Sequence, residues 1–334
     1  FLSPFISPLM SNMLNRLLTE PSIRGILCVL AAGATFSTSD MMIKTLSGAY
    51  PLHQIIFIRA IVALMIILGL FMPLEGGYRN IRTTRWKLHV FRGGCVVVAN
   101  MSFFVGVAAL PLAEATAIFF VAPLIITALS VPFLGEKVGV RRWLSVMVGL
   151  VGVVVVIRPG SEVFQYAALA PVLAAFAYAF MQITARKLGG TERASTMAFY
   201  IQGTFVVVCA TSGIALGDGR FAEAVDSPTL LFLLRAWTIP SQFDGGVMLA
   251  VGVLSAFGSY LISQGYRLAE ATTAAPFEYV VLPMAIMWGV IVFGDWLDAI
   301  ALLGILLIVA SGLYASWREN VRGVGVAADH PFPR

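Results

Sequence analysis

The sequence predicts an all-α polytopic membrane protein: ten transmembrane helices in two inverted five-helix repeats around a central cavity. Three observations predict it. The 334 residues are 59% hydrophobic and only 12% charged, with a mean hydropathy of +0.90. Soluble domains carry about 25% charged residues, so this chain has too little polar surface to coat a body in water. Apolar runs close to the roughly 20 residues that cross a 30 Å hydrocarbon core recur along the chain. Short sequence echoes relate its two halves.

In order, the spans are 24–46, 53–72, 88–110, 112–134, 141–158, 164–187, 193–216, 243–266, 270–293 and 297–317. Most connections are very short, so consecutive spans are antiparallel neighbours. The exception is 217–242, in which Thr229–Trp237 (TLLFLLRAW) is too short to span and is expected to lie along the membrane interface. Orientation follows from the basic residues. With the N-terminus in the cytoplasm, seventeen Lys and Arg fall on the inner side, Arg92 among them, against Arg158, Arg220 and Arg235 outside. Lys44 and Arg59 are left for the outer half of the membrane. Both termini (1–23 and 318–334) are therefore expected in the cytoplasm of a multi-pass inner-membrane protein. Residues 1–20 lack the basic start of a signal peptide, and Met10 and Met13 are candidate initiators.

The net charge of +5 belongs to this topology, and no nucleic-acid partner is expected. Cys28, Cys95, Cys209, His53, His89 and His330 lie far apart, with no CxxC or HxxxH spacing. No disulfide framework, metal site, redox centre or cofactor is expected. The expected partners are a small-molecule cargo and the lipid bilayer, with a monomer as one allowed assembly.

The internal repeat sets the architecture. LAEAT occurs at Leu112–Thr116 and again at Leu268–Thr272, each time opening a span. Val29-Leu-Ala-Ala is echoed by Val172-Leu-Ala-Ala, an alignment that superposes Lys44 on Lys187. Gly135-Glu136 after the fourth span is answered by Gly294-Asp295 after the ninth. Three echoes in the same order divide the chain into halves 24–158 and 164–317. Five spans per half is an odd number, so the second half enters the membrane upside down, as in secondary transporters whose cargo site lies near mid-depth.

The first span with its terminal Lys44, LAEATAIFFVAPLIITALSVPFLGEK (112–137), RRWLSVMVGLVGVVVVIRP (141–159) and LAEATTAAPFEYVVLPMAIMWGVIVFGD (268–295) resemble the drug/metabolite transporter superfamily, EamA branch. The resemblance runs from about Ile23 to Trp317. It implies a cavity lined by spans 1–4 and 6–9, with spans 5 and 10 packed outside. Members of the branch include amino-acid exporters of the YddG type, aromatic amino acids among their cargo, and uptake carriers for S-adenosylmethionine or riboflavin.

Charged residues inside spans need a partner or a purpose, since each costs at least about 2.5 kcal/mol in the bilayer. Asp40, Lys44 and Arg59 fall at comparable depth and are expected to form one ionic cluster: a static clamp, or a receiver for a cargo carboxylate, which a guanidinium suits. Glu278 lies two turns inside the ninth span, with Arg92 and Arg267 the nearest basic candidates. It is either a cargo-facing carboxyl or a snorkelled partner of a basic residue. Asp40 and Glu278 are the candidates for proton coupling. Glu114 and Glu270, the two repeat copies, are expected to stabilise the first turns of their helices. Glu136 and Asp295 read as surface residues. Pro123, Pro276 and Pro283 deprive the carbonyls of Phe119, Thr272 and Tyr279 of their donors, which predicts bent helices along the cavity.

Among neutral residues, Asn100, Tyr178, Gln182, Tyr200, Gln202, Tyr260 and Gln264 lie on the spans assigned to the cavity, as do Phe103, Phe119, Phe277 and Tyr279. They read as interhelical glue or as an apolar pocket with a few polar anchors. Gly149, Gly152, Gly304 and Gly312 read as close-packing positions. The expected function is alternating-access transport of a small amphiphilic metabolite, an amino acid in the export direction. The alternative is uptake of S-adenosylmethionine or riboflavin. An enzyme lacks any Ser/His, Cys/His or paired-carboxylate constellation, so no catalytic residue is named. A channel lacks a ring-forming charge pattern.

Overall fold

A computed structural model describes residues 21–134, 139–160, 165–188, 194–222, 225, 227–268 and 275–322, and every regular element among them is helical. The helices are α1 (Pro21–Leu46), α2 (Leu52–Ile66), α3 (Trp86–Ala109), α4 (Leu112–Phe119), α5 (Ala122–Leu134), α6 (Val140–Ile157), α7 (Leu169–Leu188), α8 (Ala194–Leu216), α9 (Pro228–Leu234), α10 (Gln242–Leu268), α11 (Val281–Trp288) and α12 (Ala299–Arg322). Among the described residues, seven helical stretches are long and apolar enough to cross a membrane: Ile23–Leu46, Leu52–Leu74, Trp86–Ala109, Leu112–Phe133, Tyr166–Thr184, Ser195–Leu216 and Gln242–Ile262. Trp143–Ile157, Phe277–Phe293 and Ala299–Ala315 are shorter apolar helices. The ten expected spans thus divide into seven and three. Arg141 and Arg142 shorten the apolar part of α6, and the ninth span is interrupted in its backbone.

Proline explains the interruptions. α2 continues through a π turn, Ile67–Phe71, into Met72–Leu74, where Pro73 has no N–H to return to the carbonyl of Gly69. The span 112–134, expected to be one bent helix around Pro123, is instead two helices separated by a turn at Phe120–Val121. Pro123 takes the second position of α5, where no intrahelical donor is needed, and its ring is exposed. Pro132, which the sequence reading did not single out, lies inside α5. In the second half, Ala275–Val280 form a 3-10 helix containing Pro276, and Pro283 is the third residue of α11. The chain leaves α11 through a π turn, Gly289–Phe293. It is closed by Gly294 at φ 68°, in the left-handed region glycine favours, and by the Asp295 amide donating to the Gly289 carbonyl at 2.9 Å.

The helices pack in a repeating scheme. α1 lies along α10 and α3 along α7; α2 packs on α8 and α10, and α8 also on α3. α5 packs on α7, and α11 on α1 and α4. α6 and α12 form a separate seam in which glycines let the backbones touch. A Cβ on Gly152 would come within 2.9 Å of the Gly304 carbonyl oxygen, and one on Gly304 within 2.9 Å of the Gly152 carbonyl. The far faces of this seam expose Leu144, Met147, Val151 and Val154 on α6 and Leu302, Leu303 and Leu306 on α12. Such a continuous apolar surface suits lipid rather than water.

The described part of 217–242 that holds Thr229–Trp237, expected along the membrane interface, is fastened to the helices. Phe232 of α9 is buried, and α9 packs on α3 and α2. The Gln54 side-chain amide donates to the Thr238 carbonyl at 2.6 Å and accepts from the Thr238 amide at 3.2 Å. Trp237 packs on His53 and Phe57, and its amide donates to the Gly217 carbonyl at 2.9 Å. The reason is polar satisfaction: the non-helical backbone here finds its partners on Gln54 of α2 and on the Gly217 carbonyl.

Candidate functional site

A row of aromatic rings crosses the middle of the helix assembly. Phe103 on α3 meets Phe104 at 5.3 Å and Phe119 at 5.2 Å, centroid to centroid. Phe119 meets Tyr178 of α7 edge-on at 5.3 Å and Phe120 at 6.2 Å. Phe120 reaches Tyr279 at 5.2 Å. All are ordinary separations for tilted aromatic pairs. The break between α4 and α5 builds this row, because the turn at Phe120–Val121 lets two adjacent rings point to different neighbours. Phe120 was not among the residues predicted from sequence; its only signal is its place three residues before Pro123. Phe277 is 38% exposed and stands apart from the row. The Tyr279 hydroxyl rests against Gly312, where a Cβ would be 1.7 Å away, and has no hydrogen-bond partner among the described residues.

The row ends at a buried guanidinium. Arg59 on α2 is 7% exposed and donates through Nη2 to the Asn100 side-chain oxygen at 2.9 Å. Its Cζ lies 5.2 Å from the centroid of the Phe205 ring and 6.0 Å from that of Phe104. Its Nε has no hydrogen-bond partner among the described residues, and its charge interacts with that of Asp40. An arginine so placed offers an unused donor beside an aromatic wall.

The single ionic cluster of Asp40, Lys44 and Arg59 is corrected by the structure. Lys44 turns away from Arg59. It donates to the Leu110 carbonyl at 2.7 Å and to Asp295 at 3.1 Å, and it lies 4.8 Å from the Phe293 ring. Asp295, expected as a plain surface residue, is drawn in by that lysine. It can reach because the π turn and Gly294 fold the chain back over the end of α11. Nearby, Arg158 pairs with the exposed Asp298. Glu114, in the first turn of α4, shares with Leu110, Arg158, Gln165 and Asp298 the lining of a cavity of about 60 Å³, room for a water or two. Pro111 caps α4 without a side-chain bond. Glu270 lies outside the described residues, as do Glu136 and the last four residues of the second LAEAT.

The two tyrosine–glutamine pairs predicted from i,i+4 spacing both form. The Gln182 amide donates to the Tyr178 hydroxyl at 2.9 Å, and the Gln264 amide to the Tyr260 hydroxyl at 2.8 Å. Tyr178 belongs to the aromatic row, and both Arg92 and Glu278 act on its hydroxyl electrostatically. Tyr260 is elsewhere, stacked flat on Phe71 at 4.1 Å. Tyr200 donates to the Ile81 carbonyl at 2.8 Å and stacks on His89 at 4.5 Å, away from the row. Gln202 is buried, with its side-chain oxygen unpartnered among the described residues. Arg92, counted from the sequence with the inner loop charges, is buried within α3.

Comparison with known proteins agrees with this picture. The EamA-like transporter family matches residues 23–158. A riboflavin transporter of Vibrio cholerae is 26% identical over 303 residues, covering 89% of this chain and 94% of its own. An S-adenosylmethionine uptake transporter of Rickettsia prowazekii is 24% identical over 298 residues, with 89% and 94% covered. A pseudopaline exporter, CntI, of Pseudomonas aeruginosa is 25% identical over 288 residues, with 86% and 94% covered. Residues 23–158 thus match the EamA-like transporter family, and over most of its length this chain, with its apolar spans, is similar to multi-pass transporters that share that kind of domain.

Proposed function

We propose that the protein moves a metabolite combining an aromatic ring with an amino-acid head across the cytoplasmic membrane, by alternating access between halves 24–158 and 164–317, in the export direction. The observation that carries this is the ring row Phe104–Phe103–Phe119–Tyr178 ending at Arg59, whose Nε has no hydrogen-bond partner among the described residues. Stacking rings suit a planar group, and a desolvated guanidinium suits a carboxylate. Ten spans in two inverted repeats fit the helix pairing. Exchanging the five spans of one half for those of the other maps α1·α10 onto α7·α3 and α5·α7 onto α11·α1, and returns α2·α8 and α6·α12 to themselves. The seventeen-to-three division of basic residues supports cytoplasmic termini, and reporter fusions at positions 80 and 190 should report the same side.

A second reading is uptake of S-adenosylmethionine or riboflavin, favoured by the relatives that carry those names. S-Adenosylmethionine presents the same pairing of a ring and an amino-acid head. Riboflavin has no carboxylate and would leave Arg59 unmatched. Flux of labelled tryptophan, phenylalanine, S-adenosylmethionine and riboflavin in proteoliposomes, measured in both directions, tests the assignment. Saturable flux of the aromatic amino acids is expected. Flux of riboflavin alone would overturn the carboxylate assignment, and S-adenosylmethionine flux without tryptophan flux would favour the second reading.

A further inference from the structure

On α3, two turns before Asn100 and so about 12 Å along the helix, lies a second guanidinium. Arg92 is 8% exposed, and its Nε and Nη1 are buried with no hydrogen-bond partner among the described residues. The next residue, Gly93, packs so closely on Thr204 of α8 that a Cβ would sit 2.3 Å from its hydroxyl, so α3 and α8 are pressed together at this level. Across from them, the charge of Arg92 acts on the Tyr178 hydroxyl, the far member of the ring row that ends at Arg59. Glu278 acts on the same hydroxyl. Two buried guanidiniums, each with donors unpartnered among the described residues, therefore act on the same set of rings: Arg59 lies against Phe104, and the charge of Arg92, two turns from Asn100 on α3, reaches Tyr178. A buried cation with unused donors is a costly arrangement that an arriving anion relieves, through charge-assisted hydrogen bonds stronger than neutral ones.

We propose that Arg92 is a second docking position for the anionic group of the cargo, which its carboxylate occupies after leaving Arg59. The inference rests on the cargo reading above and adds that one face of the rings hands the carboxylate from the first arginine to the second. The row supplies the path for the ring; the two arginines supply the stations for the charge.

The full-length protein is titrated with L-tryptophan and L-tryptophanamide, which differ in the carboxylate. Arg92→Gln should weaken L-tryptophan binding by about tenfold, the scale of one charge-assisted hydrogen bond, and leave L-tryptophanamide unchanged. Arg92→Lys should restore part of the loss, and it carries the test if Arg92→Gln does not fold. Equal weakening of both ligands would mean a structural role and would overturn the proposal. Should the wild type bind neither compound, the cargo reading fails, and labelling of Arg92 by phenylglyoxal in proteoliposomes then decides the second point. Protection by benzoate but not by benzamide sustains an anion site at Arg92. Labelling indifferent to benzoate, or no labelling, overturns it.

Discussion

The pairs Tyr178–Gln182 and Tyr260–Gln264 are the same i,i+4 motif, with hydrogen bonds of 2.9 and 2.8 Å, in two unlike settings. Tyr178 lies edge-on to Phe119, within reach of the charges of Arg92 and Glu278. Tyr260 lies flat on Phe71 at an interplanar angle of 4°, on the wall of a crevice formed with Ile67, Ser195, Ala198 and Ala256. Stacked in parallel among small side chains, the second ring is a packing piece. Set in a line of rings and acted on by the opposite charges of Arg92 and Glu278, the first is the one the proposed cargo would meet. A motif that is a local event on one helix acquires its role from what the other helices bring to it.

Truncating the two tyrosines should separate these roles most widely. Tyr260→Ala is expected to cost about 3 kcal/mol, as large-to-small changes at packed aromatics do, and to lower the thermal midpoint in detergent while the folded fraction still transports. Tyr178→Ala should cut cargo flux more than tenfold in proteoliposomes, beyond any loss of folded protein. A comparable loss of flux from both would dissolve the distinction. Gly152→Leu tests a place remote from both pairs. Overpacking the α6–α12 seam should destabilise by about 1–3 kcal/mol and leave the apparent affinity for cargo unchanged.

A finer cut removes only the hydroxyls. Tyr178→Phe and Tyr260→Phe should each lose about 1 kcal/mol of stability, the usual net worth of a hydrogen bond, yet only Tyr178→Phe should change the apparent affinity for cargo. The smallest effect lies at the end of α6. There the hydrogen bond from Arg158 holds the Asp298 carboxyl below its ordinary 3.8. A carboxyl so depressed contributes stability above its unfolded value and loses it as pH falls through the folded one. Asp298→Asn should therefore differ slightly from wild type in thermal midpoint at neutral pH, the two converging well below pH 4, with Tyr178 and Tyr260 unaffected.

The parts legible in the sequence were those governed by local chemistry. Apolar runs marked the helices, i,i+4 spacing placed each glutamine on its tyrosine, and the small residues of α6 and α12 announced the seam at Gly152 and Gly304. Prolines told where the fourth and ninth spans are interrupted but not how. The first breaks into two helices around a turn, while the second runs from 3-10 through α to π geometry, and nothing in the proline itself selects between them. Partners distant along the chain were not legible. Depth and the i,i+4 spacing from Asp40 group Lys44 with Asp40 and Arg59, yet it binds Asp295, whose approach needs the reversal at Gly294. Arg92 was counted with the loops because it stands only six residues into α3. That neighbouring helices rise past it and shut it from solvent is a property of the assembly.

The bond between Lys44 and Asp295 joins positions 251 residues apart. During synthesis the first hydrophobic segment leaves the ribosome long before its counter-charge exists, and its ammonium has the Leu110 carbonyl but not its paired carboxylate until nearly the whole polypeptide has been inserted. The opening segment can therefore settle only at the close of biogenesis. A nascent protein truncated before residue 295 should remain engaged with the insertion machinery or be surrendered to proteolysis.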